Sequence, residues 1–188
     1  MKRGVLFAGV FLLSCVIAHL IFLDMQPRFS TAHTVGIMEE RGRQWNVLSV
    51  SRVRKADKNF VVRDNPDTIT AFAVMNLDEG PLAFTMPAPQ LPLYWSVAIY
   101  AENTDVLHIT NDKGGVECVR LTIAPKGAPA LPGFEMVTAP SDVTVLIVRA
   151  TMPDRNDELE VNALREELLA AKLVPAASNN KDSLGGCS

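Results

Sequence analysis

The chain has 188 residues, 48% apolar and 21% charged, enough for one packed domain and an attachment segment. Its net charge of −3 leaves no basic footprint for nucleic acid, and no stretch interleaves aromatic residues with Lys and Arg as single-strand binding requires. Three cysteines, Cys15, Cys118 and Cys187, fit neither a metal pair nor a disulfide framework and read as unpaired thiols.

Lys2 and Arg3 open an apolar run from Gly4 to Leu23. At about 1.5 Å per residue, about 20 helical residues cross the roughly 30 Å hydrocarbon layer. The run exceeds a secretory core of about 7–15 residues, and no small-x-small cleavage site adjoins it. An uncleaved anchor is therefore preferred to a signal cleaved near Ser30–Ala32. It is also preferred to a lipoprotein box at Leu12–Cys15, because apolar sequence continues past that cysteine. The basic residues precede the span and Asp24 follows it, so the positive-inside rule predicts an inner N-terminus and an outer main domain. His19 lies near the outer end of the run, within reach of the interface.

Residues 25–58 are mixed and polar and read as a stalk leading into a first edge element. From residue 59 to 175, short β-rich runs alternate with turn signals. Strands are predicted at Phe60–Arg63, Ile69–Leu77, Leu82–Met86, Tyr94–Ala101, Val106–Thr110, Glu117–Ile123 and Val143–Ala150. The breaks between them are rich in Gly, Pro and Asp, including a Pro-rich stretch from Pro125 to Pro140. This spacing predicts a mainly β domain, an antiparallel β-sandwich. Asn111–Gly115 is the strongest hairpin signal, since Asn and Gly tolerate the positive φ of a tight reversal. After Pro153 the period becomes helical, with Leu159, Ala163, Leu164, Leu168 and Ala171 on one stripe. Asp154, Asn156 or Asp157 can cap this C-terminal amphipathic helix, and Pro175 stops it. Residues 176–188 read as a disordered tail.

Signatures of common chemistry are missing. The sequence contains no Gly-x-Ser-x-Gly, P-loop, Gly-x-Gly-x-x-Gly, His-Glu-x-x-His or Cys-x-x-Cys, so neither a cofactor nor a metal is predicted. Asp64, Asp67, Glu102, Asp105 and Asp112 fall near predicted strand ends. Carboxylates so placed act as acid and base, bind a hard cation, or simply form turns by bonding nearby amides. Turn formation is the preferred reading. If a catalytic site exists, its candidates are Arg63, Asp67, Asp105 and His108, acting on a lipid or cell-wall component. Candidate ligand-binding residues are Asn65, Tyr94, Trp95 and Asn103. Aromatics such as Tyr94 and Trp95, at a strand start, also suit a core.

The order of segments resembles the domain-of-unknown-function family 1254, especially its short membrane-anchored bacterial members. Arg63, Asn65, Asp67 and Thr68 match its Arg-x-Asn-x-Asp-Thr segment. Gly80, Pro81 and Pro87 match its second strand, Tyr94 and Ser96 the start of its third, Asn103 and Thr104 the turn after it, and Arg149 the close of its last. Thr70, Asn76 and Ala101 stand where the family usually carries tyrosine, aspartate and aspartate. The resemblance implies a β-rich exported domain at the bacterial cytoplasmic membrane, with no established reaction. It also implies a partner: a separate companion protein carrying the second domain of longer family members. The leading expectation is a binding or accessory module of the envelope. The rivals are an Arg/Asp/His enzyme and a structural subunit held through Leu159–Leu168.

Overall fold

The computed structural model describes residues 2–40, 42–51, 65, 67–91, 93–177 and 187. Helix α1, Lys2–Glu40, runs unbroken for 39 residues, through Pro27 and well beyond the apolar run. It stops where Gly42 takes a φ of 68°, a conformation glycine adopts without steric cost. There the Arg43 amide donates to the Met38 carbonyl (3.1 Å) and the Gly42 amide to that of Glu39 (2.8 Å), a Schellman closure. The foot of the helix packs on the domain: Thr31 and Met38 are buried, whereas Val5 to Leu23 project their apolar side chains outward.

The domain is the expected sandwich. One sheet has the order β1-β2-β8-β4-β5, built from Ser49–Val50, Thr68–Asn76, Val143–Thr151, Tyr94–Ala101 and Val106–Asn111, all antiparallel. The other has the order β7-β6-β3-β9, from Glu135–Ala139, Cys118–Pro125, Leu82–Pro87 and Lys172–Pro175. Its β6–β7 pair is parallel, so this sheet is mixed. Between the sheets lie Ile69, Ala71, Ala73 and Met75 of β2, Val97 and Ile99 of β4, and Leu146 and Val148 of β8. They meet Phe84 and Met86 of β3 and Leu121 and Ile123 of β6. Alternate residues of a strand face opposite sides, so the other parity of β2 and β8 (Thr70, Phe72, Val74; Val145, Ile147, Arg149) forms the outer face.

Several expectations are corrected. The Asn111–Gly115 reversal is not a hairpin within one sheet. A short 3-10 turn, Asp112–Gly114, carries the chain from β5 in one sheet to β6 in the other, with Gly115 left-handed at φ 62°. Strands β7 and β9 were not expected. The first hides inside the Pro-rich stretch, and the second is a four-residue edge that gains its partner only from β3. Helix α2, Glu158–Leu169, starts at Asp157, whose side chain accepts from the amides of Leu159 and Glu160. It buries Val161, Leu164 and Leu168, while Leu159 is 82% exposed and Ala163 is exposed too. It ends at Ala170, ahead of Pro175, and its buried side joins the core cluster beside Trp95 and Met152. The cysteine expectation fails as well: Cys118 and Cys187 form a disulfide, with Cα atoms 5.9 Å apart, and only Cys15 is free. The predicted strand Phe60–Arg63 and nearly all of the predicted disordered tail lie outside the described residues.

Candidate functional site

The residues singled out from sequence do not gather in one place. Arg63 and Asp64 lie outside the described residues. Asp67 sits where β2 begins, exposed, with its carboxylate 3.7 Å from the Arg155 guanidinium. The corner is built by Asn65: its side-chain oxygen accepts from the Asp67 amide (3.0 Å), and its carbonyl accepts from the Thr68 amide (3.3 Å). Asp105 lies at the opposite end of the same sheet. From the Tyr94–Thr151 pair to the Ala101–Thr144 pair is about seven residues, at about 3.3 Å each on the order of 20 Å.

Asp105 and Asn103 make a local turn. The Asn103 amide donates to the Asp105 carboxylate (2.7 Å), and Thr104 is held at φ 69° between them. Trp95 is buried in the core; Tyr94 is half-buried at the strand start. Glu102 faces Arg28 of α1 at 3.6 Å, and Asp112 belongs to the turn between the sheets. Among the described residues no three His, Cys, Asp or Glu side chains gather as metal ligands.

His108 occupies a cleft of about 630 Å³ between the β5 edge and strands β6 and β7. Its Nδ1 lies 3.3 Å from the Glu135 carboxylate, and its Nε2 is buried without a partner among the described residues. A carboxylate-oriented imidazole is half of a nucleophilic device, and the other half is a hydroxyl or thiol bonded to the free nitrogen. None is bonded here. Cys118 in this wall is tied in the disulfide, and the Arg120 guanidinium donates to the Cys187 carbonyl at 3.0 Å.

A second cleft, about 360 Å³, opens between the foot of α1 and the outer face of the five-stranded sheet. Its floor is Val74, Val145 and Ile147, a row the strand registers place side by side, with Tyr100 beside Val145 on β4. Its helical wall is Ser30, Thr31, Thr34 and Val35. Thr31 fixes that wall by donating its hydroxyl to the Glu102 carbonyl (2.7 Å). Arg149, exposed on β8, is the one charged lining residue, and no carboxylate lines the cleft. Thr34 spends its hydroxyl proton on the Ser30 carbonyl (3.0 Å), whereas nothing among the described residues bonds the side chains of Ser30, Tyr100, Thr104 or Arg149. Sequence reasoning gave this cleft no site residue. The signal was present: Val145, Ile147 and Arg149 share a parity, so a lone cation ends an apolar row.

A model of the DUF1254 family, described as a protein of unknown function, matches residues 45–172. No curated protein matches the chain significantly. Among solved structures, the VPA0106 protein from Vibrio parahaemolyticus has a similar fold, with a TM-score of 0.65 at 10% identity. The match covers 83% of this chain and 36% of that one, so the chain spans about a third of its length. An uncharacterized protein from Burkholderia cenocepacia matches at a TM-score of 0.43 and 15% identity, over 79% of this chain and 46% of its own.

Proposed function

The chain belongs to the DUF1254 family, and we propose that this member is a membrane-tethered binding or accessory module of the bacterial cell envelope. In this reading α1 crosses the cytoplasmic membrane with its N-terminus inside, and the sandwich stands on the outer surface. The observation that carries it is the division of labour within α1. Its most apolar stretch buries nothing against the protein, while its foot is fixed to the sheet through Arg28, Thr31 and Met38. An apolar helical surface of that length needs hydrocarbon around it. The Cys118–Cys187 disulfide supports an oxidising compartment on the same side as the domain. A helix fixed at its foot holds the domain at a set height, as a binding module needs and a freely swinging tether does not provide.

A companion protein that docks on the exported domain belongs to the same proposal. Alkaline carbonate extraction of native membranes, followed by protease treatment of spheroplasts, tests the topology. The chain is expected to stay with the membrane and to be shaved to a short N-terminal fragment. Release by carbonate, or a mature chain that starts beyond Leu23, defeats the tether. Cross-linking in the same membranes tests the partner; a strictly solitary monomer with catalytic turnover removes the binding-module reading.

A further inference from the structure

We propose that the cleft between α1 and the outer sheet face binds a small anionic amphiphile, a carboxylate or phosphate monoester on a short apolar body. Arg149 takes the charge and the Val74–Val145–Ile147 floor takes the body. This inference rests on the tethered reading above and adds a ligand class to it.

The chemistry of the lining is selective. An arginine with no carboxylate among the described residues lining its cleft, and no hydrogen bond to any described residue, keeps its fork for an incoming anion, and the planar guanidinium matches carboxylate and phosphate oxygens in pairs. Arg28 shows the contrast: on α1, two residues before Ser30 of the cleft wall, it is already engaged by Asp24 and Glu102. Elsewhere in the same cleft the hydroxyls of Ser30, Tyr100 and Thr104, bonded by no described residue, supply further polar contacts; Tyr100 lies opposite Val145, four positions along β8 from Arg149. The floor is apolar and offers nothing to a sugar or a multiply charged ion. A cavity of about 360 Å³ is within the usual range for small ligands. Position supplies the source. From Leu23 to Ser30 is seven helical residues, about 10 Å along the axis, so the cleft opens just beyond the headgroups of the outer leaflet in the tethered orientation.

The test uses the full chain in phosphatidylcholine nanodiscs, titrated with dodecanoate labelled at its carboxyl carbon and read by NMR against empty nanodiscs. The wild type is expected to bind dodecanoate at least about tenfold more tightly than the neutral dodecanol, and acetate not measurably, as loss of a charge-assisted pair implies. Dodecyl phosphate is expected to compete. Arg149→Met keeps the aliphatic stem and is expected to weaken binding about tenfold or more. Thr34→Trp, on an exposed helix position, is expected to fill the cleft and abolish binding while the circular dichroism stays unchanged. Equal binding by Arg149→Met, equal binding of dodecanol, or full binding by Thr34→Trp overturns the site. Carbonate extraction separates the two readings. A retained chain that ignores dodecanoate overturns the site alone, and a released chain that still binds it overturns only the tether.

Discussion

The two clefts differ more in what their charges are doing than in size. The larger one, at the β5–β7 edge, has its imidazole on Glu135, its arginine on the Cys187 carbonyl and its thiol in a disulfide. The smaller one, under α1, holds a guanidinium that no described residue engages. In the first, most polar groups brace one another and the His108 Nε2 alone among those named is left without a partner among the described residues; in the second, a whole guanidinium is. Volume alone does not choose between them, because a ligand is recognised by the groups left unsatisfied in its absence, and the proposal above rests on the guanidinium.

Four perturbations sharpen or break this contrast. Cys118→Ser removes the link to Cys187, which closes 69 residues of sequence, and is expected to lower stability by about 2–4 kcal/mol. Urea midpoints, with reductant acting on the wild type but not the variant, read this loss. Dodecanoate binding should not follow it, and a parallel loss would mean the two clefts are one unit. Thr31→Val removes the buried bond to the Glu102 carbonyl at nearly constant volume, at a cost of about 1 kcal/mol. Its mark is faster amide exchange along residues 28–38 and weaker amphiphile binding, with the β5–β7 edge untouched. Glu135→Gln is expected to cost at most about 0.5 kcal/mol, since that carboxylate is largely exposed. A loss of several times that would show the His108 pair to be more than bracing. Asp67→Ala is the smallest, within about 0.5 kcal/mol, because its carboxylate is half-exposed and, among the described residues, pairs with Arg155 alone. Thermal melting decides it, and a drop typical of a buried polar group would show that the corner depends on that side chain.

The Asn65–Thr68 corner illustrates how much could be read in advance. Its turn was legible because Asn and Asp bond amides two residues on, a strictly local event, and Asn65 does so with Asp67. The partner of Asp67 was not legible. Arg155 arrives from the far side of β8, where the β2–β8 ladder brings the two strand ends together. The β2 and β8 strands were visible as apolar runs, whereas β7 was hidden by the prolines around it and owes its place to parallel pairing with β6. For α2 the helical period was visible but its phase was not. Leu159 and Val161 both suit a buried stripe, and docking chose Val161.

Sequence alone determined what depends on neighbours along the chain: the membrane-length apolar run, the alternation that makes strands, the turn-forming role of Asn and Asp at the corner, and the three residues from which the α2 cap would come. Tertiary structure decided what depends on closure in space. It carried α1 onward to Glu40 and set its foot on the sheet, joined Cys118 to Cys187, and separated Asp67 from Asp105 along the same sheet. It also left Arg149, at the end of an apolar row, with no partner among the described residues. The reason is physical: local propensities are set by adjacent dihedrals and short hydrogen bonds, while pairing and its absence are set by which surfaces the fold brings within reach.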